Sequence, residues 1–208
     1  MSAPIQYKNV WGLTGGIASG KTAASGIFAE LGACIIDCDL VSREIMSKGS
    51  PWLAQAAALF GSKIIDTHGE LKRGLLGRMV FNDPQKLSQL NELLHPAIWK
   101  RTFQLVGEAR QRERLVIIAA PLLFEHGVEA VCKEVIVTDV SSKVQIKRLM
   151  ARDKFNLDEA QRRIGAQMSL AEKAARATIL LDNNGSKAHL REQIETLWQE
   201  RIAPVYGF

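Results

Sequence analysis

The sequence predicts an α/β fold: a five-stranded parallel sheet flanked by helices, with a helical insertion and a helical lid. Three observations lead there. Short apolar runs at 9–13, 33–36, 115–119, 134–138 and 178–181 alternate with amphipathic stretches, the pattern of strands buried under helices on both faces. Roughly eighty residues part the second run from the third, far more than one crossover needs, so this interval holds an insertion. A phosphate-binding pattern follows the first run directly.

That pattern is Gly15-Gly16-Ile17-Ala18-Ser19-Gly20-Lys21-Thr22, a glycine, four residues, then Gly-Lys-Thr. Residues 9–13 supply the strand before it and 23–31 the helix after it, the context that gives the motif mechanical meaning. The glycines let the backbone curl so that N–H groups point at phosphate oxygens, and the helix adds the partial positive charge of its N-terminus. Lys21 is then expected to reach the β- and γ-phosphates, and the Thr22 hydroxyl to ligate Mg²⁺. A nucleoside triphosphate is the predicted ligand.

The second strand runs into Asp37-Cys38-Asp39. Carboxyl ends of parallel strands face the ligand crevice, and alternation along an extended segment puts both carboxylates on one side. Phosphoryl transfer needs a carboxylate to orient the acceptor hydroxyl and take its proton. Asp39, farther from the sheet, is the candidate base, and Asp37 a candidate to hold Mg²⁺ through water. The alternative is that one of them caps the following helix, 40–46.

Within the insertion, Ser50-Pro51 opens one helix, and Asp83-Pro84 places an N-cap and a first-turn proline before another, 85–94. His95-Pro96 then reads as a helix end; the sequence by itself leaves His95 unassigned. Between the fourth and fifth strands a charged helical run, 144–176, is the candidate lid. Arg148 and Arg152 are four apart on one helix face, where they would neutralise charge on a transferring phosphoryl group or, alternatively, pair with Asp153 or Glu159. Asp182-Asn183-Asn184-Gly185 is a turn signal that could also hold a purine ring at the crevice edge. Residues 187–202 read as a surface helix with Leu190, Ile194 and Leu197 on its apolar stripe.

Composition narrows the partners. With 208 residues, 47% hydrophobic, and a mean hydropathy of -0.03, the chain can bury a full core and offers no membrane-spanning run. Met1 to Lys8 lack the pattern of a secretory signal, and three cysteines, Cys34, Cys38 and Cys132, show neither an even framework nor metal-ligand spacing, so free thiols and a cytoplasmic location are expected. The 27 basic against 22 acidic residues leave +5, compatible with nucleic acid or with a small polyanionic substrate. Aromatics at 6% are poor material for base stacking, so no nucleic-acid partner is expected, and no exposed stripe marks an obligate protein partner. The third strand lacks a following Asp-x-x-Gly, and no Asn-Lys-x-Asp occurs, so a GTPase switch fits poorly.

Taken together, the residues 13–22 motif, Ile36-Asp37-Cys38-Asp39, Leu94-His95-Pro96, Pro121-Leu122-Leu123-Phe124-Glu125, Lys147-Arg148 to Arg152-Asp153 and Asp182-Asn183-Asn184-Gly185 resemble, in order, the signatures of dephospho-coenzyme A kinases. The resemblance implies transfer of the ATP γ-phosphate to the ribose 3′-hydroxyl of dephospho-CoA, with Mg²⁺; phosphorylation of another small hydroxyl acceptor, such as a nucleoside or sugar acid, is the alternative. It implies a three-part architecture: a nucleotide core of 1–46, 105–145 and 177–208, an acceptor-binding insertion of 47–104, and a lid of 146–176. It further implies Asp39, Lys21 and Arg148 as catalytic residues, Arg73 and His95 on the acceptor side, and Arg152 and Asn183 at ATP. Ala18 departs from the family, which usually has a third glycine there; the methyl should be harmless unless φ is positive.

Overall fold

The protein is described by a computed structural model over residues 6–208; the sequence reading of the first few residues falls largely outside this range. The described chain divides into two compact units, one comprising everything up to Ile36 together with Val106–Phe208, the other Asp37–Leu105. The boundary at Ile36 lies ten residues before the position 46 expected from the sequence, and the helices over 142–176 count with the first unit.

In the first unit, β1 (Tyr7–Gly15), β2 (Cys34–Asp37), β3 (Val116–Ala119), β4 (Cys132–Asp139) and β5 (Ile179–Asp182) form one sheet in the order β2-β3-β1-β4-β5. The pairs of β1 with β3, β1 with β4 and β4 with β5 are parallel, so these strands end at the same edge. β1 lies in the middle, where the order of connection reverses, the place at which open α/β sheets form a ligand crevice. All four residues of β3 are buried, which is why it reads as an unbroken apolar run.

One face of the sheet is covered by α1 (Lys21–Glu30) and α9 (Lys187–Leu197). Trp11 and Leu13 of β1, level with Ile117 and Ala119 of β3, pack there against Ala24, Phe28, Leu190 and Ile194. The stripe of α9 is buried as its spacing predicts, but the helix does not simply run to 202. A π-helical turn, Trp198–Ile202, shifts the phase before α10 (Ala203–Tyr206), and both Trp198 and Ile202 join the core. Tyr206 then accepts from Trp11 Nε1 at 2.9 Å and donates to the Lys8 carbonyl at 2.7 Å, tying the end of the chain to the first strand.

The charged stretch expected to form a lid holds three helices: α6 (Ser142–Asp153), α7 (Leu157–Gly165) and α8 (Leu170–Arg176). Lys154 in the left-handed region ends α6, and Asn156 and Ser169 cap the next two. No disulfide joins the three cysteines, of which Cys38 and Cys132 are buried.

The second unit contains α2 (Cys38–Ile45), α3 (Pro51–Phe60), α4 (Arg73–Phe81) and most of α5 (Pro84–Ala109). Ser50 caps α3, its hydroxyl accepting from Leu53 N–H. Met46, Leu53, Ala56, Phe60, Ile64, Leu76 and Val80 are buried in this unit. The helix expected to stop at Leu94 continues through His95-Pro96 to Ala109. A proline inside a helix removes one hydrogen bond. Here it is outweighed by the burial of Leu94, Ala97 and Ile98 around it. Among the described residues no helix is long and apolar enough to cross a membrane.

Phe28 is fully buried at the centre of the α1–sheet contact. Phe28→Ala should lower the unfolding free energy by about 3–5 kcal/mol, measured by urea titration of the intact chain.

Candidate active site

The phosphate loop occupies residues 16–20, between the end of β1 and the start of α1. Helix α1 has no acidic residue in its first turn and, in contrast to the helices capped by Ser50, Ser141, Asn156, Ser169 and Ser186, no side-chain cap. Its leading N–H groups are thereby left to an anion. The loop's carbonyls are taken up by one contact within the loop and two from outside it. Gly16 O accepts from Ser19 N–H at 3.0 Å, Ile17 O from Gln145 Nε2 at 2.9 Å, and Ser19 O from Asn183 Nδ2 at 2.7 Å. The buried Ser19 hydroxyl shares a 2.8 Å hydrogen bond with Thr138 at the end of β4. Lys21 is buried at the first position of α1, and Thr22 beside it is exposed.

Two glycines are required by this packing. A Cβ on Gly15 would lie 2.2 Å from Thr138 Oγ1, and one on Gly20, whose φ is +104°, would lie 1.9 Å from Asn183 Nδ2. Ala18 has a φ of 61°, so its methyl group sits in the left-handed region. The strain that a positive φ would bring is present, worth about 1–2 kcal/mol.

Asn183, expected at the nucleotide's purine side, is buried and braces the loop through Ser19. Ile17 likewise donates its N–H to Gln167 Oε1 at 2.9 Å, and its carbonyl accepts from Gln145 Nε2. Neither glutamine was singled out by sequence reading. Their amides act through chain reversals that a motif does not encode. Arg148 of α6 is half-buried; Arg152 is exposed and makes a forked pair with Asp153, both contacts at 2.9 Å, the alternative its spacing allowed. Such a pair contributes about 0–1 kcal/mol, so opening it for a phosphate costs little.

In the second unit the two aspartates are not on one side of an extended segment. Asp37 is the N-cap of α2, its Oδ1 accepting the Asp39 N–H at 2.8 Å, and the helix starts at Cys38. A capping carboxylate satisfies an otherwise orphaned helix donor, and this outcompetes extension of the strand. Asp39 consequently stands exposed in the first turn, where the helix dipole favours its charge. The expectation that Arg73 and His95 serve one ligand finds a common location for them: both line a cavity of about 260 Å³ with Leu71, Leu76, Leu90 and Ile98. Burial, and then the nearby charge of Arg43, push the Arg73 guanidinium below its ordinary pKa, a cost that a bound anion would relieve.

A parallel sheet with its phosphate loop after the central strand, an uncapped helix behind the loop and a basic helical segment at its side defines a P-loop kinase fold. The comparisons carry this to the family. The dephospho-CoA kinase family model matches residues 9–189. The dephospho-CoA kinase of Enterococcus faecalis is 41% identical over 193 residues, covering 93% of this chain and 97% of its own, and that of Shewanella oneidensis is 39% identical over 195 residues, covering 94% of each. The solved dephospho-CoA kinase of Campylobacter jejuni superposes with a TM-score of 0.65 at 26% identity, over 92% of this chain and 96% of its own. The chain belongs to the dephospho-CoA kinase family.

Two substitutions probe the loop. Gly20→Ala should abolish detectable ATP binding in calorimetry, because the added methyl group meets Asn183 at a positive φ. Ala18→Gly should raise stability by about 1 kcal/mol in urea titration while leaving ATP affinity unchanged.

Proposed function

We propose that Asp39 is the base, and Lys21 and Arg148 the phosphate-binding cations, in the ATP-dependent phosphorylation of dephospho-CoA that membership of the family assigns to this chain. The observation that carries the reading is the loop itself: its carbonyls are tied outward to Gln145 and Asn183, and the uncapped start of α1 follows it. Preorganised amides of this kind stabilise a transferring phosphoryl group without reorganising during the reaction.

The residues fit a magnesium ion held mainly by its substrate. Among the described residues no group of three or more His, Cys, Asp or Glu side chains could cage a metal. Mg²⁺ is commonly bound by few protein groups together with phosphate oxygens and water, and the exposed Thr22 hydroxyl in the first turn of α1 suits that role. Asp37 is proposed to assist through water, using the carboxylate that also caps α2. When bound, the ion would neutralise charge on the phosphates.

On the acceptor side, the cavity of Arg73 and His95 supports binding of dephospho-CoA in the second unit. Its apolar lining suits an uncharged chain, and the Arg73 charge suits a phosphate. Asp39 is then the carboxylate that orients the ribose 3′-hydroxyl and removes its proton as the γ-phosphate is transferred. Arg148 and Arg152 support a lid role for the segment 146–176, and the turn Asn183-Asn184-Gly185 the purine side, with Asn183 bracing the loop beneath.

Release of ADP, with ATP and Mg²⁺ supplied, should depend on dephospho-CoA, and the product should gain the mass of one phosphate; ADP released equally without acceptor would refute the reading. Asp39→Asn should lower kcat by about 10²-fold or more with ATP affinity near normal. Arg73→Ala should raise the KM for dephospho-CoA about tenfold, leaving the KM for ATP in place.

A further inference from the structure

Ile17 is held by both of its backbone polar groups, in the peptides before and after it. Its N–H donates to Gln167 Oε1 and its carbonyl accepts from Gln145 Nε2, each at 2.9 Å. Gln145 stands in the first turn of α6 and is buried; Gln167 stands in the turn between α7 and α8. The lid segment thus reaches the phosphate loop from both its beginning and its later turn, and the two contacts meet on one residue.

The turn that carries Gln167 is itself fixed. Glu125 Oε1 accepts the Met168 N–H at 3.0 Å, and the fully buried Lys173 donates to both Glu125 oxygens and to the Pro121 carbonyl, each at 2.8 Å. The Pro121 carbonyl also accepts from the Thr14 hydroxyl at 3.3 Å. The chain of contacts closes on itself: from Thr14 through Pro121, Lys173, Glu125 and Met168 to Gln167, and back to Ile17, three residues beyond the start. A closed circuit of this kind resists rotation of the peptide it ends on.

Rotation of that peptide matters. With its N–H held by Gln167, the Ile17 amide is not among those offered to phosphate. The side chain at 167 must supply an acceptor and no negative charge, because a carboxylate there would stand beside a bound triphosphate. A glutamine meets both demands.

We propose that Gln167 is a positioning residue for phosphoryl transfer, which orients the loop through the Ile17 peptide and couples the lid segment to bound nucleotide. The proposal rests on the ATP-dependent reaction given above. The test is Gln167→Met, which keeps length and removes the acceptor, in the full chain. Loss of one hydrogen bond that aligns the loop should weaken ADP binding in calorimetry about tenfold and lower kcat by a similar factor. The KM for dephospho-CoA should stay within about twofold, and Tm should fall by no more than about 4 °C. Hydrogen exchange in a peptide spanning the loop should quicken. Gln145→Met, which removes the donor to the carbonyl of the same residue, should show the same split between the two substrates.

ADP affinity and kcat unchanged in Gln167→Met would overturn the proposal. So would a large fall in Tm with both substrates affected alike, which would make the contact structural only. If the wild-type chain bound ADP yet showed no dephospho-CoA-dependent turnover, while Gln167→Met still lost ADP affinity, the positioning of the loop would stand and the assigned reaction would fall.

Discussion

A loop that turns its amides toward an anion must turn its carbonyls the other way, and each carbonyl displaced in this manner needs a donor from elsewhere in the protein. Here the donors are Gln145 from the start of α6 and Asn183 from the end of β5, with Ser19 closing the loop on Gly16. The central position of β1 follows from the same demand. Only a middle strand has neighbours on both sides, and β4 supplies Thr138 to the buried Ser19 hydroxyl while the segment after β3 supplies Pro121 to Thr14. The close contacts at Gly15 and Gly20 are the steric side of this arrangement, since side chains crowd in where a Cβ would otherwise be.

The Lys173–Glu125 pair lies in the same framework. Removing a lysine wholly from water carries a desolvation cost, and burial holds its pKa below the usual range, with Glu125 opposing that shift. The pair is therefore weak evidence for net stability. Its geometry is more telling: Lys173 satisfies a carbonyl at the end of β3, and Glu125 receives the Met168 amide, so one ion pair locates the beginning of α8 against the sheet. The Ser169–Glu172 capping box then starts that helix immediately after the fixed residue.

The residues proposed for the reaction fall in both units: Lys21, Arg148 and Arg152 in the first, Asp39, Arg73 and His95 in the second. Within the second, Pro96 lies inside α5 beside His95, and the helix carries His95 to the same cavity that α4 reaches with Arg73. Arg101 pairs with Glu44 at 2.9 Å and thereby connects α5 to α2, the helix that presents Asp39.

The sequence by itself determined the strands, the phosphate loop and its flanking helix, and the family, because these are written in contiguous residues: apolar runs of strand length, glycines at fixed offsets, a lysine and a hydroxyl that follow. It also contained the two roles open to Asp37, and the pairing open to Arg152, without choosing between them. In the tertiary structure the cap and the ion pair are formed. Asp37 caps because a helix start at Cys38 leaves donors to satisfy, and α5 passes through Pro96 because the residues around it are buried. Tertiary structure also decided what no pattern carried: Gln145 and Gln167 meet a loop that precedes them by more than 120 residues, and Asn183 braces it through Ser19. A neutral amide has no signature in sequence, since its use depends wholly on which unpaired peptide group the fold brings within 3 Å of it.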